Sequence, residues 1–233
     1  MAICIPRRAI INERAFIISP IIPGVSPRPR ATSDADLLAA TARVVSRVGP
    51  TLTLADVAKE GGVSAATLVQ RFGSKRGLLL AFAAAAPGTL PGEFARIRAA
   101  HRSPLAAVMA VGDCMAAFAD TPETLSNSLA FLQMDLVDPD FHRHALAHSR
   151  AMRAEITRLL DEAIAAGELD TSDTRALARA VQAVIGGSLL QWAIDRDGSA
   201  LDRIRDDLDT VLRPRRLAPR RQRAGIRRQT RRR

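Results

Sequence analysis

The sequence contains few aromatic residues and almost no cysteine. Aromatic side chains make up 3% of the 233 positions, and tyrosine is absent. Valine and isoleucine seldom alternate with polar residues in the pattern of half-buried strands, which argues against an all-β fold. The two cysteines, Cys4 and Cys114, lie far apart. They cannot build a disulfide framework or a cysteine zinc site, so a reducing cytoplasm is the expected compartment.

Long apolar runs and catalytic motifs are also missing. No uninterrupted apolar run reaches the roughly 18 residues that cross a bilayer, and residues 1–32 lack the cleavage site of a signal peptide. We predict a soluble, cytoplasmic protein in which residues 1–32 are a disordered leader or an overextended gene start. The sequence has no nucleophile elbow, phosphate loop or HExxH zinc motif, which predicts that the protein is not an enzyme and needs no cofactor.

The formal net charge of +10 is concentrated at the two ends of the chain. Residues 1–33 hold five arginines and one glutamate, and residues 213–233 hold eleven arginines and no acidic residue. Residues 34–86 carry six basic and four acidic side chains, whereas residues 87–212 carry twelve and nineteen. Because like charges repel, we predict that 213–233 is a disordered tail that binds nucleic-acid phosphates, with a solvated tail without a role as the alternative.

Capping residues and apolar spacing predict four helices between residues 34 and 86. Ser33 and Thr53 each stand three positions before an aspartate, the spacing of a capping box. Ser64 follows a glycine-rich turn and can cap the third helix. The predicted helices cover 34–48, about two turns after Thr53, 65–72 and 75–86. The second and third form a helix-turn-helix, whose last helix presents small and polar side chains to a major groove.

The segment TLTLADVAKEGGVSAATLVQRFGSKRGLLLAF resembles the helix-turn-helix of the TetR (tetracycline-repressor) family of bacterial transcription regulators. The resemblance covers residues 34–86 and rests on Thr53, Asp56-Val57-Ala58, Gly62-Val63-Ser64, Thr67-Leu68, Phe72, Ser74-Lys75, Leu78 and Leu79. It implies an amino-terminal DNA-binding domain, a linking fourth helix, and a larger helical domain that dimerises and often binds a small effector. The chain departs from the family at Val69, where tyrosine is usual, and at Ala65, where a basic residue is frequent.

The resemblance implies a set of DNA-contacting residues in this sequence. Four of them would hold phosphates: Thr53, Ser64, Thr67 and Lys75. Five lie on the outer side of the third helix or near bases: Ala65, Ala66, Val69, Gln70 and Arg71. Thr53 and Ser64 also stand at helix starts, and we expect each to cap its helix as well as to contact DNA.

A second, acidic and helical domain is predicted over residues 87–212. Pro87 to Gly92 is expected to end the fourth helix and to mark the domain boundary. Three later helices begin with a capping residue followed by proline: Ser103, Thr121 and Asp138. The last predicted helices cover 139–166, 171–195 and 199–212. The whole is an all-α fold of about nine helices.

The helices over 171–195 and 199–212 are the predicted homodimer interface, because the family pairs its last two long helices with their copies. Gly186-Gly187-Ser188 interrupts an apolar stripe with small side chains, which favours close packing against another backbone or a kink. A symmetric dimer would place two recognition helices on half-sites about 34 Å apart. A helix crossing inside one chain is the alternative explanation of the same small residues.

An effector pocket is predicted from sulfur-containing and aromatic side chains, which line adaptable cavities but also fill cores. The candidate lining residues are Met109, Cys114, Phe118, Phe131, Met134 and Trp192. Asp140, His144 and His148 recur at four-residue steps, a spacing that suits a metal or simply an exposed helix face, and we predict no metal.

These features predict a homodimeric repressor that binds a pseudo-palindromic operator in double-stranded DNA. A small-molecule effector in the second domain would release it. One alternative is a non-specific nucleic-acid-binding protein that relies on its arginine-rich tail. The other is a helical enzyme without a recognisable motif.

Overall fold

A computed structural model describes residues 32–119 and 121–217. These residues form nine α-helices, two short 3-10 helices and one isolated bridge between Leu169 and Arg216. The α-helices are α1 (Asp34–Val48), α2 (Leu54–Gly61), α3 (Ala65–Phe72), α4 (Lys75–Ala100), α5 (Pro104–Ala116), α6 (Pro122–Val137), α7 (Pro139–Ala165), α8 (Thr174–Asp195) and α9 (Ala200–Leu212). The 3-10 segments are Gly49–Thr51 and Arg213–Arg215. The predicted all-α fold is confirmed for the described part of the chain.

Hydroxyl caps begin the first helices where the sequence predicts them. Ser33 and Thr53 each accept an amide hydrogen bond, from Asp36 and Asp56, and each aspartate accepts a bond from the amide of its capping residue. Gly62 ends α2 at a φ of 65°, a left-handed conformation that glycine adopts without a steric penalty. These local signals therefore fix both ends of α2 and the turn into α3.

The helix break predicted at Pro87–Gly92 is wrong, because α4 continues to Ala100. Each proline in the interior of a helix costs about 3 kcal/mol through a lost hydrogen bond and a clash. Pro91 lies on an exposed side of α4, whereas Phe94 and a row of other apolar side chains on the buried side pack in the protein interior. Burial of that row offsets the lost bonds, so α4 is one rod of 26 residues, about 39 Å long.

Buried apolar side chains form two clusters. The first, the amino-terminal core, joins side chains of α1 to α4 with Phe131 of α6 and Phe141 of α7. The second, the bundle core, joins side chains of α4 to α9. Helices α4, α6 and α7 contribute to both clusters, so they connect the two parts of the molecule.

Two helices, α4 and α8, are long and apolar enough to cross a membrane by length and composition. Helix α4 supplies side chains to both buried clusters, and α8 supplies side chains to the bundle core. Core helices of globular proteins have the same apolar character, because a helix that is buried on several sides needs few polar residues.

The start of the arginine-rich tail is ordered, which corrects the predicted boundary at residue 213. The amide of Asp170 donates to the carbonyl of Arg215 at 2.8 Å, and the amide of Leu217 donates to the carbonyl of Glu168 at 2.9 Å. These bonds fix the segment beside the α7–α8 connection. A run of arginines shows no apolar period that would reveal such pairing. The predicted leader, up to residue 31, and residues 218–233 lie outside the described residues.

Candidate functional site

Helix α3 presents an exposed face at the amino-terminal end of the molecule. Ala65, Ala66, Val69 and Gln70 are exposed on it, and 47% of the Val69 surface is accessible. Leu68, on the opposite side, is fully buried in the amino-terminal core. The exposed face therefore consists of short side chains and one amide, which allows close approach to base edges in a major groove.

The first turns of α2 and α3 are capped by hydroxyl side chains. Thr53 Oγ1 accepts the amide of Asp56 at 3.2 Å, and Ser64 Oγ accepts the amide of Thr67 at 3.1 Å. The Ser64 hydroxyl also lies 2.9 Å from the Thr67 hydroxyl. The capping role of Thr53 and Ser64 is confirmed. Their contact with phosphate, and that of Thr67, stays a prediction.

Two of the cations predicted to contact DNA have partners within the protein. Lys75 Nζ donates to the carbonyl of Pro50 at 2.8 Å, and an Arg71 guanidinium nitrogen lies 3.1 Å from the Asp34 carboxylate. These bonds tie α4 to the α1–α2 connection and α3 to the start of α1. The Gln70 side chain makes no hydrogen bond within the described ranges, so its amide is the long polar group of α3 that is available to a base.

Side chains of the second domain complete the amino-terminal core. Phe131 of α6 is fully buried, and its ring makes edge contacts with Phe82 of α4 and Phe141 of α7 at centroid distances of 5.9 and 6.0 Å. The helix-turn-helix and the second domain therefore share one packed region, which transmits displacement because packed interiors deform little.

Polar contacts reinforce the same connection. Arg76, at the start of α4, lies 2.8 Å from Asp138 and 2.9 Å from Asp140 at the α6–α7 corner, and its hydrogen bonds hold the pKa of both carboxyl groups below their usual range. Asn127 of α6 donates to the carbonyl of Arg47, at the end of α1, at 2.9 Å. The sequence offers no signal for these pairs, because their partners are 62 to 80 positions apart.

A cavity of about 320 Å³ lies between α5, α6, α7 and α8. Its volume falls within the range of about 300–1,000 Å³ that is typical of ligand sites. Most of its wall is apolar and includes Phe118, Leu129, Met152, Ile156, Ile185 and Leu189. Leu132 and Gly186 also line it and are exposed, so the cavity opens to solvent between α6 and α8.

The residues predicted to line a pocket are corrected by this geometry. Phe118 lines the cavity, but the other five do not. Phe131 and Met134 belong to the amino-terminal core, and Met109 packs on the bundle core. Trp192 is buried in the bundle core, where its indole N–H donates to the carbonyl of Gly198 at 3.1 Å. Cys114 is half-buried on α5. Composition alone could not separate cavity wall from core, because both are apolar.

Three polar residues line the cavity, and two of them have their hydrogen bonds satisfied. The Ser128 hydroxyl donates to the carbonyl of Thr124 at 3.1 Å. The Gln182 amide donates to Ser149 Oγ at 3.3 Å and accepts from Arg153 at 3.3 Å. The third residue, His148, has a ring nitrogen without a partner among the described residues.

His148 is buried on α7 and lines the cavity. Its ring nitrogen Nδ1 has no partner within the described residues. Burial lowers the pKa of His148 to about 4, so the ring is neutral at pH 7. A neutral imidazole carries one N–H and one lone pair, so Nδ1 is open to a hydrogen bond with a group that can donate or accept.

The four-residue steps of Asp140, His144 and His148 do not gather a metal site. Across residues 32–119 and 121–217, no group of three or more His, Cys, Asp and Glu side chains could hold a metal ion. Asp140 is bonded to Arg76 at one end of α7, whereas His148 faces the cavity two turns away.

Helix α8 carries an exposed apolar stripe at helical spacing: Ala183, Gly186, Gly187, Leu190 and Ile194. Leu190 and Ile194 are 42% and 65% exposed. A Cβ atom added at either glycine would meet no atom within 4 Å. The two glycines therefore do not lie at a helix crossing among the described residues. Ser188 does, because it is buried and its hydroxyl donates to Asp207 of α9 at 2.7 Å, so the alternative explanation holds for Ser188 and not for the glycines.

Comparison with protein families matches both parts of the chain. Residues 37–82 match the family described as bacterial regulatory proteins, tetR family. Residues 105–216 match the family described as BetI-type transcriptional repressor, C-terminal. Comparison with curated proteins finds no match.

Solved structures of transcription regulators share the fold. A TetR regulator from Haloarcula marismortui is 19% identical, with a TM-score of 0.61 over 79% of this chain and 98% of that chain. A regulator from Saccharomonospora viridis in complex with choline is 18% identical, with a TM-score of 0.62 over 80% and 98%. FadR from Bacillus subtilis in complex with stearoyl-CoA is 14% identical, with a TM-score of 0.59 over 77% and 98%.

The amino-terminal family match includes the exposed face of α3 and the capped start of this helix. It also includes parts of α1 and α4, to which α3 is tied. The cavity and the exposed stripe of α8 coincide with the carboxy-terminal match. Regulators of this kind are in general DNA-binding proteins and not enzymes. The chain belongs to the TetR family of transcriptional regulators, which bind DNA and respond to small effectors.

Proposed function

We propose that the protein is a cytoplasmic, homodimeric repressor that binds a pseudo-palindromic operator through α3 and leaves it when a small molecule occupies the cavity. The main support for this proposal is that α6 contacts both the cavity and the amino-terminal core. Leu129 and Leu132 line the cavity, while Phe131 between them is buried in the amino-terminal core. A ligand that displaces one face of α6 therefore displaces the other face, and with it the base of the helix-turn-helix.

Helix α4 provides a second connection between the two functions. It begins beside α3, and the backbone of Ala86 in its middle is a neighbour of His148 on the cavity wall. A ligand shifts the protein between two arrangements only by as much as it prefers one of them. The choline and stearoyl-CoA complexes of two regulators with this fold support a small-molecule effector here.

Footprinting of the purified, full-length protein on genomic DNA tests the proposal. We expect protection of a short pseudo-palindrome at few sites, with half-sites one helical turn apart. Even coverage of all sequences would contradict the repressor and support a non-specific protein that relies on its arginines. Turnover of a small molecule without operator binding would support the enzyme alternative.

Gln70→Ala is expected to relax sequence preference without abolishing binding. Glutamine pairs best with adenine, and a good base contact contributes about 1–3 kcal/mol of discrimination. The measurement is a titration of the operator and of single-base variants of it. Gln133→Ala, which removes an exposed glutamine of α6, is the matched control and should leave the ranking of sequences unchanged. An unaltered ranking in Gln70→Ala would show that α3 is wrongly placed.

Lys75→Ala should instead weaken binding to every sequence alike, because a phosphate carries no base identity. Its bond to the Pro50 carbonyl gives Lys75 a structural role as well, so the thermal midpoint of unfolding must be measured beside the affinity. Arg71→Ala should also act partly through structure, because it removes the bond that ties α3 to Asp34.

Deletion of residues 218–233 is expected to flatten the salt dependence of DNA binding. This segment holds eight of the tail's arginines, and each phosphate contact contributes roughly 0.9 to the log-log slope of affinity against salt. The ranking of operator sequences should stay intact, since α3 reads the bases. The measurement is the slope for the full chain and for the truncated chain.

The position of Leu217 makes this deletion informative. Its bond to Glu168 lies at the far end of α7, whereas the contacts of Arg76 with Asp138 and Asp140 mark the end beside the helix-turn-helix. The sixteen residues after Leu217 can span at most about 56 Å when fully extended. For comparison, helix α4 is about 39 Å long. An unchanged slope would show that the tail does not reach the DNA backbone.

A further inference from the structure

The cavity selects against charged ligands. None of its lining residues is Asp, Glu, Lys or Arg, and Phe118 is the one aromatic residue among them. A buried cation needs a paired anion or a cage of aromatic faces, and a buried anion needs cationic or amide donors. A quaternary ammonium such as the choline bound by the Saccharomonospora viridis regulator would find neither kind of partner on this wall.

The cavity also has one specific polar position. Ser128 and Gln182 use their groups within the protein, which leaves Nδ1 of His148 as the lining atom that is buried and without a partner. A ligand would satisfy this atom only by forming a hydrogen bond with it, and a hydroxyl group can do so as donor or as acceptor.

We infer that the effector is a neutral, largely apolar molecule that carries a hydroxyl group, which forms a hydrogen bond with Nδ1 of His148. The cavity volume of about 320 Å³ is about twice that of an engineered cavity of roughly 150 Å³ that holds benzene, which corresponds to a body of about two fused rings. This inference adds the chemical class of the effector to the proposed function and uses that proposal only in calling the ligand an effector.

The same ring connects the ligand to the DNA-binding end. His148 is a neighbour of the backbone of Ala86, which lies within α4 about three turns from its start at Lys75. A ligand that bonds to Nδ1 fixes the ring and thereby the position of α7 against α4. His148 is therefore a positioning residue for release as well as the polar contact of the ligand.

Calorimetric titration of the full-length protein, without DNA, tests the inference with three probes: 2-naphthol, 2-methylnaphthalene and choline. The first two have nearly the same shape, and the methyl compound is the more apolar. Apolar burial alone would favour 2-methylnaphthalene, so tighter binding of 2-naphthol reports the hydrogen bond. We expect the wild type to prefer 2-naphthol by about twofold to tenfold, and choline not to bind.

His148→Leu should reverse the order of the two neutral probes, whereas His142→Leu, an exposed histidine on the same helix, should preserve it. If His148→Leu does not fold, the measurement is instead the imidazole ¹⁵N resonance of His148 Nδ1 in the wild type. This resonance should shift with 2-naphthol and not with 2-methylnaphthalene.

Tighter binding of 2-methylnaphthalene to the wild type, binding of choline, or failure of both neutral probes would overturn the inference. If 2-naphthol binds as expected but does not release operator DNA, the release step of the proposed function fails and the ligand class stands.

Discussion

Ile194→Asp is expected to convert the protein from dimer to monomer and to reduce operator affinity by a factor of about 100 or more. Ile194 is 65% exposed at the end of the apolar stripe of α8, next to Leu190 at one turn's distance. A carboxylate placed in an apolar interface loses its hydration without gaining a partner, which costs several kcal/mol. The stripe would then no longer pair with its copy.

The loss of affinity follows from the loss of one of two linked contacts. A dimer binds its second half-site intramolecularly, and this linkage raises affinity by about 10²–10⁴ over one half-site. A monomer keeps α3 and its base contacts but forfeits that factor. Sedimentation equilibrium gives the oligomeric state, and titration of the full operator and of a single half-site gives the two affinities. The half-site affinity should be unchanged in the variant.

Leu136→Asp is the matched control, because Leu136 is an apolar residue of α6 with 68% exposure that lies outside the stripe. It should remain dimeric and bind the operator as the wild type does. A dimer that persists in Ile194→Asp would place the interface elsewhere on the chain. A monomeric variant that still binds the full operator with wild-type affinity would contradict the two-site mode of binding.

Local signals in the sequence predict most helix starts, because each depends on residues a few positions apart. Ser33, Thr53 and Ser64 cap helices as predicted. The start of α8 shifts from residue 171 to Thr174, since Asp173 and not Thr171 accepts the amide of Ala176. Such small shifts are usual where several capping residues stand close together.

Features that depend on residues far apart in the chain could not be predicted in the same way. The continuation of α4 through Pro87 and Pro91 follows from burial against other helices, which overrides the helix-breaking tendency of proline. The cavity wall likewise depends on which apolar side chains fail to fill the space between four helices. Phe118 and Phe131 have the same composition signal, yet one lines the cavity and the other lies in the amino-terminal core.

Phe131→Ala is expected to destabilise the protein by about 3–5 kcal/mol and to weaken operator binding while it leaves effector affinity nearly unchanged. Phe131 is fully buried, and its removal leaves a cavity between Phe82 and Phe141 that the surrounding helices can only partly close. The two edge contacts between rings add about 0.5–1.5 kcal/mol each beyond the buried area. Phe131 does not line the ligand cavity, so the cavity wall itself is not altered.

Phe118→Ala should give the converse result, because Phe118 lines the cavity and lies outside the amino-terminal core. It should weaken binding of a neutral probe such as 2-naphthol and leave operator affinity unchanged. Phe131→Leu separates packing from simple loss of volume, since it restores most of the side chain and should recover most of the stability. Urea unfolding, operator titration and probe titration on all three variants provide the comparison. If Phe131→Ala loses stability but retains full operator affinity, the shared core does not position the helix-turn-helix, and the path from cavity to DNA must pass through His148 and α4 alone.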